Sequence, residues 1–126
     1  MLIASWNVNS IRTRLHQIKS FLENKKIDIL CLQETKVSNK DFPLKAFEDL
    51  GYEVKFSGQK SYNGVAIISK LAIEDFKVDF LGELKENIVS KEYLKQKRII
   101  SAFINGVRII NVYVPNGSSL NSEKYE

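Results

Sequence analysis

The chain is poor in cysteine, histidine, proline and long apolar runs. Cys31 is the single cysteine among 126 residues. A disulfide framework is therefore excluded, and a reducing, cytoplasmic setting is expected. Cys31 sits inside an apolar run and reads as a small buried hydrophobe rather than a reactive thiol. No apolar stretch approaches the roughly 20 residues needed to cross a bilayer. The N-terminus lacks a basic segment leading into an apolar stretch and a small-residue cleavage site, so no secretory signal is expected. His16, the only histidine, lies beside Leu15 in a helical pattern and reads as a surface residue, not a base. There is no internal repeat and no low-complexity tract.

A strong excess of one charge is also missing. The formal net charge is +4, with 44% hydrophobic and 27% charged residues, which suits one globular domain or part of one. What excess there is lies unevenly. From Lys85 to Arg98 the chain carries Lys85, Lys91, Lys95, Lys97 and Arg98 against Glu86 and Glu92, five minus two, or +3. Such a segment suits either a phosphate-rich partner or a solvated loop.

What is present first alternates strand and helix. Leu2–Asn7 reads as a strand. Ser10 is a plausible N-cap, and Ile11, Leu15, Ile18 and Leu22 follow at helical spacing to about Lys25. Ile29–Gln33 is the next strand, parallel to the first because a helix joins them. Pro43 opens a short helix through Leu50, which Gly51 is placed to stop. Strand-like runs follow at 52–56, 65–69 and roughly 76–80. Ile99–Ile104 and Val107–Val114 then flank Asn105-Gly106, the signal of a type I′ hairpin. The adjacent pairs Ile67-Ile68, Ile99-Ile100 and Ile109-Ile110 point to opposite faces of a strand, so the sheet is apolar on both sides. The two helices cover one face. Nothing else looks able to cover the other, so the chain reads as one mixed sheet layer whose partner layer is missing, with poor solubility expected.

Two strands end in polar residues, at Ser5-Trp6-Asn7-Val8-Asn9 and at Leu32-Gln33-Glu34-Thr35-Lys36. A carboxylate and an amide converging at strand ends make a site for a hard cation such as Mg²⁺. On spacing alone, the commoner reading is that Glu34 and Asn7 merely begin solvated loops.

The run Ser5 to Arg12, then Leu32 to Lys36, Arg98-Ile99-Ile100 and Asn111-Val112-Tyr113-Val114-Pro115-Asn116-Gly117 together resemble the successive motifs of exonuclease III. That family comprises Mg²⁺-dependent abasic-site endonucleases of the endonuclease/exonuclease/phosphatase superfamily. Gly51-Tyr52, Gly58-Gln59-Lys60 and Asn63-Gly64-Val65-Ala66 resemble it as well. The resemblance implies an α/β fold forming half of a four-layer α/β/β/α sandwich. It implies Glu34 as metal ligand and Asn7 as the amide beside the metal (Mg²⁺, with Mn²⁺ as an alternative). Asn9 and Lys36 would support them, and Tyr113 would act at the attacked phosphate. Arg12, Tyr62, Asn63, Gly64, Arg98 and Asn116 would contact double-stranded DNA at abasic sites or 3′ ends. Trp6 reads as core packing even so.

The family's water-activating Asp-x-Asn motif and its later Asp-His motif do not occur in these residues. The general base is then missing and one carboxylate is a poor Mg²⁺ site. The resemblance therefore implies residues 1–126 as the N-terminal half of a nuclease domain that is monomeric at full length, with little catalysis of its own. A non-catalytic DNA-binding fragment and a truncated product without function are the alternatives. A superfamily phosphatase or lipid phosphodiesterase would share the Glu34 region but not the full ordered set.

Overall fold

The computed structural model describes residues 1–58, 64–78 and 99–113. Strand β1 is Ile3–Asn7 and helix α1 is Ile11–Lys25, followed by β2 at Ile29–Gln33. A short helix α2, Leu44–Glu48, leads to β3 at Glu53–Ser57, β4 at Val65–Ser69 and β5 at Ile73–Val78. Strands β6 (Ile99–Ile104) and β7 (Val107–Val112) complete the described chain. No helix among the described residues is long and apolar enough to cross a membrane.

Helix α1 begins where expected. The Ser10 hydroxyl accepts from the Thr13 backbone N–H at 3.3 Å, and Ile11, Ile18 and Leu22 form the buried stripe. Ser10→Ala removes that acceptor and is expected to lower stability by about 1 kcal/mol, read as a shift in the urea midpoint. β1 and β2 pair in parallel, with Ile3 opposite Ile29 and Asn7 opposite Gln33. Asn105 and Gly106 both have positive φ, 50° and 80°, as a type I′ turn requires between β6 and β7.

The α/β class, with a mixed sheet and flanking helices, is as the sequence predicts. The number of sheets is not. One sheet has the order β1-β2-β4-β3, and a second, separate sheet has the order β5-β6-β7. Alternation along the strands explains the division. Leu30, Leu32, Ala66 and Ile68 face α1 and α2, in a core with Ile11, Ile18, Leu22 and Phe47. Ile29, Cys31, Val65 and Ile67 face the other way and meet Ile100, Ala102, Ile104 and Ile109 of the second sheet. The second face is thus covered by the chain's own hairpin, which corrects the expectation of an uncovered layer. Exposed large apolar side chains are found chiefly at edges and tips, among them Ile3, Val107 and Ile110.

The second sheet carries its own clasp. β5 bulges between Glu74 and Lys77, with Asp75 at φ 46°. Arg108 of β7 reaches across β6, over the Phe103 ring, and bonds the Asp75 carboxylate at 2.5 Å. That hydrogen bond holds the Asp75 carboxyl below its usual range. Cys31 is buried, and burial pushes its thiol up to about 11, which fits an inert core residue. Trp6 is half-buried, edge-on to Phe21 at 5.5 Å.

Candidate active site at the strand ends

Because β1 and β2 run parallel, their C-terminal ends lie side by side, and the two following loops are stitched together by backbone hydrogen bonds. Val8 N donates to Gln33 O at 3.0 Å, Ser10 N to Glu34 O at 2.8 Å and Ile11 N to Thr35 O at 2.9 Å. These bonds hold an unusual backbone. Asn9, Ser10, Glu34 and Lys36 all have positive φ, at 48°, 97°, 56° and 58°. Such conformations cost of order 1–3 kcal/mol each and persist where the surroundings enforce them. They concentrate where the polar side chains sit.

Four of the expected site residues come together here. The Lys36 ammonium donates to the Asn9 amide oxygen and lies 4.0 Å from the Glu34 carboxylate. Asn7 Oδ1 accepts from the Asn9 backbone N–H at 3.2 Å. Glu34 and Lys36 are half-buried, with 22% and 30% of their side chains exposed, so ligand and water can reach both. The donors Asn7 and Glu34 are all oxygen, which suits a hard cation in part. Among the described residues no group of three His, Cys, Asp or Glu side chains could hold a metal. Any cation here would draw its remaining ligands from water, phosphate or other residues.

Between Glu34 and Lys36 lies Thr35, fully buried, with a hydroxyl that has no hydrogen-bond partner among the described residues. Its backbone N–H donates to Gly64 O at 3.2 Å, and Gly64 packs directly on the hydroxyl. Gly64 is thereby placed beside the carboxylate strand end. Arg12 is exposed in the first turn of α1, and His16 is exposed farther along it. Tyr113 follows β7, half-buried against the cluster between the sheets. Tyr62, Asn63, Arg98 and Asn116 lie outside the described residues, as does the basic segment from Lys85.

Neither Gln33 nor Asn111 is among the site residues expected from the sequence. Asn111 is 2% exposed, and its Nδ2 donates to Leu32 O at 2.9 Å and to Ala66 O at 2.8 Å. Gln33 Nε2 donates to Asn111 Oδ1 at 2.8 Å and to Ser5 Oγ at 3.0 Å. A signal was available: an amide at position 111 falls on the same inward face as Ile109, and a buried amide must find partners.

The sequence pattern of the Endonuclease/Exonuclease/phosphatase family matches residues 4–90. Exodeoxyribonuclease III of Haemophilus influenzae is 35% identical over 123 residues, covering 94% of this chain and 43% of that protein. The structure of an AP endonuclease from Archaeoglobus fulgidus superposes with a TM-score of 0.84 at 47% identity, over 99% of this chain and 46% of that one. The 3′ phosphatase NExo from Neisseria, solved with a product DNA hairpin, gives 0.83 at 40% identity, over 98% and 45%. The chain spans less than half the length of each of these proteins. On the match over most of its residues, the chain belongs to the endonuclease/exonuclease/phosphatase family, among relatives named exodeoxyribonuclease III and AP endonuclease.

Proposed function

We propose that this chain supplies the N-terminal half of a Mg²⁺-dependent DNA-repair nuclease centre. The reaction is hydrolysis of a phosphodiester 5′ to an abasic site or at a 3′ end of double-stranded DNA. The observation that carries this reading is the convergence of Glu34, Asn7, Asn9 and Lys36 at the ends of adjacent parallel strands. Glu34 and Asn7 would hold the cation, which, when bound, neutralises charge on phosphate oxygens. Asn9 and Lys36 keep the two loops together and hold a positive charge near the carboxylate. Tyr113 would donate a hydrogen bond to the attacked phosphate as charge develops. Arg12, Tyr62, Asn63, Gly64, Arg98 and Asn116 would grip the DNA backbone, which places binding under salt control.

Among the described residues no group of three His, Cys, Asp or Glu side chains joins Glu34 to hold a metal, so the 126-residue chain should be unable to turn over. Incubated with Mg²⁺ and an abasic duplex, it is expected to give no cleavage; nicking that disappears in Glu34→Ala would overturn this. Titration with abasic and intact duplexes at two salt concentrations tests the partner. Affinity should fall about tenfold or more from roughly 50 to 200 mM salt, and abasic duplex should bind more tightly. Indifference to the lesion would favour a non-catalytic basic surface instead.

A further inference from the structure

Among the described residues the contact between the two sheets is mainly apolar, built from Ile29, Cys31, Val65 and Ile67 against Ile100, Ala102, Ile104 and Ile109, with a hydrogen bond from Ile73 N to Glu53 Oε2 at 2.9 Å at the β3–β5 side and a polar network at the β2–β7 side. Apolar contact is non-directional. It brings the sheets together without specifying how far β7 sits along β2. The network is directional. Leu32 and Ala66 are cross-strand partners in β2 and β4, and both their carbonyls accept from Asn111 Nδ2. Carbonyl oxygens cannot donate, so the Asn111 amide has only one workable orientation. Its Oδ1 must then face Gln33, which has to present its NH₂ group, as it does at 2.8 Å. The same Nε2 reaches Ser5 Oγ of β1. Three strands from two sheets are joined by side chains whose polarity is settled by two backbone carbonyls.

The position of this network matters. Gln33 immediately precedes Glu34, and Asn111 lies two residues before Tyr113. We propose that Gln33 and Asn111 are positioning residues, an amide tie that sets the end of β7, and with it Tyr113, against the Glu34 end of β2. This deepens the nuclease reading, since it assigns a purpose to bringing Tyr113 and Glu34 together.

A tie that positions is separable from one that merely stabilises. Replacing both amides by apolar groups leaves no orphaned donor and can be nearly neutral for stability. Asn111→Leu and the double variant Gln33→Leu/Asn111→Leu are therefore compared with the unsubstituted chain by NMR and hydrogen exchange without metal. The expected result is movement of the Tyr113 and Glu34 resonances, with exchange at Glu34 and Thr35 faster by about tenfold, while Ile67 and Ile100 keep their protection. Uniform loss of protection in both sheets, unmoved Tyr113 and Glu34 signals, or failure of both variants to fold would each overturn the proposal. Mn²⁺ is then added to the unsubstituted chain and the double variant. Broadening of the Glu34 signals is expected in both, and that of Tyr113, which falls with the inverse sixth power of its distance from the ion, should be weaker in the second. If Mn²⁺ broadens neither signal in the unsubstituted chain, this half of the site does not hold a cation by itself, and the metal-free spectra still decide the tie.

Discussion

Gly64→Ala is expected to destabilise the chain by about 3 kcal/mol, a large effect for a single methyl group. Two causes add. Gly64 has φ +94°, a conformation that L side chains rarely adopt. A Cβ built there would also lie 2.2 Å from the Thr35 hydroxyl oxygen. Thr35 has little room to yield, because it is fully buried and its backbone is bonded both to Gly64 O and to Ile11 N. Displacing it would drag Glu34 and the start of α1. The two causes separate in a double-mutant cycle. Thr35→Ala alone should be close to neutral, since it removes a hydroxyl with no partner among the described residues along with one methyl group. In combination with Gly64→Ala it should recover the steric part and leave the backbone strain. Urea denaturation of the four proteins reads the result. Strict additivity would show that the contact is not what demands glycine.

Gln33→Glu is expected to cost about 2 kcal/mol at neutral pH despite being nearly isosteric. The introduced carboxylate would set an oxygen against Asn111 Oδ1. Flipping the Asn111 amide offers no escape, because its oxygen would then face the Leu32 and Ala66 carbonyls. The ionised form is therefore disfavoured in the folded state, and the introduced acid's folded pKa lies above its unfolded value of about 4.3. The sign follows from that. Below the unfolded value the acid is protonated in both states, can donate to Asn111, and the deficit largely disappears. As pH rises through the folded pKa the deficit grows, then stays level above it. Gln33→Leu should show no such dependence. Denaturant midpoints of both variants at several pH values between about 3 and 8 test this, and parallel pH profiles would rule out the amide orientation.

Both effects turn on residues whose importance the sequence conceals to different degrees. Gly64 falls within a sequence motif, yet its closeness to Thr35 depends on β4 pairing antiparallel with β2, with Val65 opposite Gln33. Glu34 and Asn7 are legible in the sequence because a polar residue ending an apolar strand is visible locally, and parallel pairing follows from the intervening helix. Lys36 bonding to Asn9 required both loops to adopt positive φ, which no local preference of lysine or glutamate supplies.

Periodicity within a few residues determined α1, its Ser10 cap, the parallel pair β1 and β2, and the Asn105-Gly106 hairpin, because these depend on spacing, capping and turn chemistry over short separations. The same alternation showed that Ile67 and Ile68 need cover on opposite faces. Which residues supply that cover was settled only in three dimensions. Strands 99–104 and 107–112 are apolar enough to extend the first sheet or to lie across it, and edge pairing and face packing both bury them. Tertiary structure chose packing, and a buried amide at Asn111, 78 residues from Gln33, sets where the second sheet rests. A contact over that separation leaves no mark in local pattern, since it depends on how every intervening element has folded.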